Sequence, residues 1–180
     1  MTNEDSRCCY EETRQALFEE QHGLCCYCER EIAAENKKNS VEHLEPRSSN
    51  KTRVYDYANL ALSCTKSDHC NNYRGNEYDA GKFSSPHDPV TKSLFRYMPH
   101  GLVVSSGVDD DKADYLIKTL QLNCASLLHE RRSHAKRLIE SMHNQAPEVI
   151  DALRKSYLCP DDKTGYCQSF PSLSQTILLP

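Results

Sequence analysis

Cys25-Cys26-Tyr27-Cys28, Ser40-Val41-Glu42-His43-Leu44, Tyr57-Ala58-Asn59-Leu60-Ala61-Leu62 and Cys64 through Cys70-Asn71-Asn72-Tyr73-Arg74-Gly75 are the segments that decide how this chain folds. Four thiols bracket an acid–histidine pair and two asparagine positions. Two thiolates two residues apart can grip one zinc ion from a single turn, and tetrahedral sulfur coordination suits zinc. Cys25 and Cys28 have that spacing, with Cys26 a spare. Cys64 and Cys70 are separated by five residues, so either Cys70 or the adjacent His69 can complete the set. Ser40–Leu44 alternates as a short strand, with Val41 and His43 on one side and Glu42 on the other. Tyr57–Leu62 reads as a second strand, Pro46–Arg53 as a polar loop between them, and Asp68–Gly75 as a short helix ended by glycine. The unit is therefore expected to be a compact ββα fold tied by thiols.

Outward from this centre, residues 10–22 read as a helix that Gly23 ends, and 31–39 as a turn. Residues 76–92 look irregular. Leu94–Met98 and Leu102–Ser105 suggest a hairpin around Pro99-His100-Gly101. Three helices are expected over Asp109–Leu122, Ala125–His143 and Pro147–Leu158, the first with acids in its opening turn and the last starting on proline. The expected class is α+β, with a thiol-tied region at 1–105 (motif core 25–76) and a helical lobe at 106–180 that serves as a packing or partner surface.

At 180 residues, 38% hydrophobic and without Trp, the chain can build an ordinary core that a structural metal would reinforce. Ten cysteines raise the possibility of a secreted disulfide scaffold, but the opening Met-Thr-Asn-Glu-Asp-Ser has no signal character. Paired cysteines in a reducing compartment bind metal or do chemistry, so a cytoplasmic location is expected. No apolar run is long enough to cross a membrane. Cys8, Cys9, Cys124, Cys159 and Cys167 read as ordinary thiols, with Cys159 and Cys167 as a candidate minor site.

Net charge is −4, which argues against strong unaided binding to nucleic acid. Residues 37–75 differ: seven cations, including Lys37 and Lys38, face four acids, a local balance of +3. Phosphodiester cleavage needs an activated water and a sink for charge. A histidine can take the proton of water, and a divalent cation on hard oxygen ligands can neutralise the phosphate. His43 suits the first task. Glu42 with Asn71 or Asn72 suits the second, and Asn59 can tie the loop or the imidazole by hydrogen bonds.

Order and spacing together resemble the HNH (ββα-metal) endonucleases, whose thiol-tethered members carry Cys-x-x-Cys before the first strand and end on Cys-His-x-x-Lys-Gly. Here Asn71 stands at the third motif position. A closer similarity is to the PtuB family, the HNH subunits of Septu-type and retron-associated anti-phage systems. It is carried by Cys26–Glu29, Val41–Ser48, Asn59–Cys64, Cys70–Gly75 and Leu120–Arg131. The resemblance implies a prokaryotic defence nuclease acting with an ABC-type ATPase subunit (PtuA), on DNA in preference to RNA. It implies structural Zn²⁺ on Cys25, Cys28, Cys64 and Cys70 and catalytic Mg²⁺ or Mn²⁺ on Glu42 and Asn71. His43 would be the general base and Asn59 the orienting asparagine. Competing readings are the same chemistry on an RNA such as tRNA, and a zinc-stabilised adaptor that cuts nothing.

Overall fold

A computed structural model describes residues 3–34 and 39–179, with side chains from residue 9 onward. The turn expected over 31–39, with Lys37 and Lys38, lies partly outside the described residues, as does the side chain of Cys8. The fold is mixed α+β: seven helices and two antiparallel two-stranded sheets among the described residues.

Helix α1 (Asn3–Glu20) turns Leu17 and Phe18 into the core. It closes where expected. His22 and Gly23 both take positive φ, and the Gly23 N–H reaches back to the Phe18 carbonyl at 2.9 Å. The chain then doubles back through Cys25–Arg30, pinned by a bridge between Leu24 and Glu31.

Strands β1 (Asn39–His43) and β2 (Leu60–Cys64) pair antiparallel, with His43 opposite Leu60 and Asn39 opposite Cys64. All five residues of β2 are buried. Its second edge is covered too, because the Gln21 side chain bonds both the N–H and the carbonyl of Leu62, at 2.7 and 2.9 Å. The Cys26 N–H adds a third bond, to the Leu62 carbonyl. The turn of 3₁₀ helix at Tyr57–Asn59 occupies what alternation alone suggested was strand, so β2 starts at Leu60. The Asp56 side chain caps that turn on the Ala58 N–H and holds it off the sheet.

Helix α2 (Cys70–Arg74) follows β2 and ends on Gly75, whose φ of 57° suits glycine. Within the stretch that looked irregular, Asp88 caps a single-turn helix α3 (Pro89–Ser93). The hairpin is present as β3 (Phe95–Tyr97) and β4 (Val103–Ser105). Helices α4 (Asp110–Thr119), α5 (Ala125–Met142) and α6 (Pro147–Leu158) match the expected three, each bound within a few residues.

The sequence reading missed helix α7 (Pro171–Leu178), which buries Leu173, Ile177 and Leu178. Contacts run across the 105/106 position. The α7 segment packs on β3 and α5, the Phe170 N–H bonds the Glu29 carbonyl at 2.7 Å, and the Cys167 N–H bonds the His22 carbonyl at 2.9 Å. One apolar cluster, from Leu17 to Leu178, serves both parts of the chain.

Candidate functional site

Cys25, Cys28, Cys64 and Cys70 are all buried, and their sulfurs lie within 4.8 Å of one another. Two arise from the turn after α1, one from the end of β2 and one from the start of α2. The turn is shaped for this: the Cys25 N–H bonds the Arg30 carbonyl, the Glu29 N–H bonds the Cys25 carbonyl, and Glu29 adopts φ of 60°. Cys70 also sits in the left-handed region, at φ 58°, a conformation that costs an L-residue about 1–2 kcal/mol. Its N–H is anchored to the Leu120 carbonyl at 2.9 Å. Tertiary structure thus holds a strained backbone so that a sulfur points into the cluster.

The Cys25–Cys70 sulfur separation is 3.8 Å. Four sulfurs at about 2.3 Å from one tetrahedral zinc would stand about 3.8 Å apart. The group can therefore bind a structural metal such as zinc. It also decides the fourth ligand: Cys70 belongs to the four, and His69 does not.

Packed thiols share protons unequally. Burial acts to raise Cys25, but hydrogen bonding from the neighbouring thiols outweighs it and holds Cys25 well below the ordinary range. Cys25 pushes Cys64 up, yet Cys28 and Cys70 pull it down further, to about 6. Cys28 and Cys70 are raised. A bound dication would drive off the remaining protons.

The acid–histidine pair diverges across β1. Glu42 is 2% exposed, and its Oε1 accepts from the Tyr27 hydroxyl at 2.9 Å and from Arg74 Nη2. Arg74, 4% exposed, also donates to the Leu44 and His43 carbonyls at 2.9 Å each and lies over the rings of Tyr27 and Phe83. Burial pushes Glu42 up to about 7, against the pull of Arg74 and the Tyr27 hydrogen bond. Asn71 turns its Nδ2 to Ser40 Oγ at 3.3 Å, and the exposed Asn72 bonds the Thr65 carbonyl at 2.9 Å. A Mg²⁺ or Mn²⁺ held by Glu42 with Asn71 or Asn72 does not fit this arrangement. The carboxylate is turned inward to an arginine, and neither amide reaches it.

His43 and Asn59 behave differently. His43 is half-buried, and its Nε2 stands 3.0 Å from the Val54 carbonyl. A carbonyl only accepts, so Nε2 carries a hydrogen, and Nδ1 is the nitrogen left to accept a proton. Asn59, fully buried, ties the loop to itself. Its Oδ1 accepts from the Glu45 N–H at 2.8 Å, and its Nδ2 donates to the Glu45 and Arg53 carbonyls at 3.1 Å each. Arg53 in turn pairs with Glu45 and Asp56. Of the two tasks open to Asn59, it performs the loop-tying one. The loop it closes carries the carbonyl that orients His43.

No family model and no curated protein matches this chain.

Cys124 is the residue that sequence reasoning passed over. It joins Asp68 and His69 in a second group of ligand-type side chains. Fifty-five positions separate Cys124 from His69, so no local spacing could have paired them. Cys159 and Cys167 belong to no group of three or more such side chains among the described residues. Burial acts to lower His69, but Cys64 and Asp68 outweigh it and raise it. Ser126, first, and His69 hold Asp68 down at about 2.

Proposed function

We propose that the chain is an HNH-type phosphodiesterase in which His43 is the general base. The observation that carries this reading is the bond from His43 Nε2 to the Val54 carbonyl. It fixes the tautomer, aims Nδ1 away from the loop, and leaves that nitrogen to take a proton from water as it attacks phosphorus. Asn59 supports the base indirectly, as the positioning residue that closes the loop. The four-cysteine group joins the turn after α1 to the end of β2 and the start of α2. A bound Mg²⁺ or Mn²⁺ would supply the charge sink that such hydrolysis calls for, although Glu42 with Asn71 or Asn72 is not arranged to hold one. Glu42 could reach it only by leaving Arg74, and the base chemistry of His43 stands apart from that question.

The substrate class we favour is DNA, with RNA as the alternative. The local surplus of cations in residues 37–75 against a chain at −4 supports a nuclease that acts beside a partner, here an ABC-type ATPase. No helix among the described residues is long and apolar enough to cross a membrane.

A second reading is favoured by one observation: the Glu42–Arg74 pair is enclosed, as expected of a scaffold. On that reading the chain is a metal-stabilised adaptor. The test is cleavage of supercoiled DNA and of tRNA by the chain with its ATPase partner, in Mg²⁺ or Mn²⁺. His43→Ala should lower the rate at least ~100-fold with an unchanged melting profile. Equal cleavage by both proteins would remove His43 from the mechanism, and absence of cleavage by either would favour the adaptor.

A further inference from the structure

Asp68, His69 and Cys124 meet where the loop leading to α2 abuts the start of α5. A carboxylate oxygen, a ring nitrogen and a sulfur lie within 4.8 Å of one another. His69 is fully buried, Cys124 half-buried and Asp68 exposed. Asp68 Oδ1 is 2.8 Å and Cys124 Sγ 3.6 Å from the same atom, His69 Nδ1. A Cys–His–Asp catalytic relay would place the acid and the thiol on opposite ring nitrogens. Here both converge on one, and a single Nδ1 proton can satisfy only one of them. Convergence on a shared point is the arrangement a cation would complete.

The nitrogen–sulfur distance suits a metal of the zinc class, while the 2.8 Å between Asp68 and His69 is a hydrogen bond that would open by about 0.5 Å to admit the ion. Nitrogen and sulfur ligands of one tetrahedral zinc, bound at about 2.05 and about 2.3 Å, stand about 3.5 Å apart. The mixed sulfur, nitrogen and oxygen set also matches the borderline softness of that ion.

A second observation concerns the other side of the same ring. The other ring nitrogen, Nε2, is buried without a hydrogen-bond partner among the described residues. A histidine that binds metal through Nδ1 carries its hydrogen on Nε2 and donates it to an acceptor behind the ring. Nε2 is thus the nitrogen left to carry the hydrogen, while Nδ1 is the one that meets Asp68 and Cys124.

We propose that Asp68, His69 and Cys124 form a second site for a zinc-class dication, clasping α5 to the ββα unit beside the four-cysteine group. Binding forms three bonds to the metal from Asp68 oxygen, His69 Nδ1 and Cys124 sulfur. The ring binds as its neutral tautomer, with its hydrogen on Nε2, Cys124 gives up its thiol proton to solvent, and water fills the fourth position on the exposed side. Ser126 already orients two of the three ligands, through Asp68 Oδ2 at 2.5 Å and Cys124 Sγ at 3.3 Å. The sequence held no hint of this, because its ligands come from segments that only the fold brings together. The proposal does not depend on nuclease activity.

The experiment is metal content of the full chain, loaded with Zn²⁺, desalted and measured by mass spectrometry, with Co²⁺ loading as a spectroscopic companion. Wild type should hold two ions per chain. Cys124→Ala and Asp68→Asn should each hold one, keep the four-thiolate Co²⁺ spectrum and keep the helical circular dichroism. Because Asp68 is exposed, its variant carries the test should Cys124→Ala fail to fold. One ion in wild type, or equal content in wild type and a folded variant, would overturn the site.

Discussion

The four-cysteine group and the His43 face lie on the same ββα unit, yet they were built by different means. The sulfurs come from four points on the chain and converge in one enclosed place, at the spacing that a metal requires. Glu42, His43, Asn59 and Asn71 come from a similar span and disperse. One is turned to Arg74, one to a loop carbonyl, one to the loop itself and one to Ser40. The contrast teaches that ligand spacing constrains a chelate strongly, because all donors must reach one point. Adjacent strand residues meet no such demand, since alternation sends them to opposite faces.

That comparison can be broken most severely at the thiols. Cys28→Ser should abolish binding at the four-cysteine group and unfold the ββα unit. In small zinc domains the metal supplies about 10–16 kcal/mol of apparent folding free energy. Zinc content and thermal melting report it, and an unchanged melt would mean that the thiols are only core. Arg74→Met should rank next. It strands Glu42 in the interior, at a cost of about 3–5 kcal/mol in urea unfolding of the metal-loaded chain at pH 8. A loss below about 1 kcal/mol would show that the pair is solvated.

Asn59→Ala removes three loop bonds and should cost about 1–3 kcal/mol while leaving metal content intact. If cleavage survives this change undiminished, the loop does not position His43.

The last effect concerns pH. Glu42 is raised by burial from about 4.5 to about 7, so the folded state binds more protons than the unfolded state between those values. Stability from this group is therefore full below about 4.5 and falls as pH rises towards 7. The melting temperature of Glu42→Gln minus that of wild type should climb between pH 5 and pH 8. A flat or falling difference would place the carboxylate in water, on the side of the catalytic reading that the burial of Glu42 opposes.

Much of the scaffold was legible early. The Cys-x-x-Cys turn, the alternation of β1, the hairpin around Gly101 and the bounds of α5 and α6 follow from spacing, alternation and helix-ending residues. The rest was not local. Tyr57–Asn59 alternates like a strand, but the Asp56 cap winds it into a turn. Helix α7 is eight residues long, too short to show a clear period, and it exists because α6, α5 and β3 pack around it and Leu173 and Leu178 are buried there. The role of Arg74 was hidden as well. An arginine before a glycine reads as a helix end, and only folding brings it against Glu42.

By itself, the sequence determined the α+β class, Cys25, Cys28 and Cys64 as members of a set that could hold a metal, and the ββα order of the central unit. These depend on short-range spacing, which the chain carries wherever it goes. Tertiary structure alone decided that Cys70 and not His69 completes the four, because a left-handed residue held to Leu120 aims its sulfur inward. It also turned Glu42 to Arg74, gave Asn59 the loop, and brought Cys124 to His69. Each of these depends on the direction in which a side chain points once distant segments pack, which sequence separation does not encode.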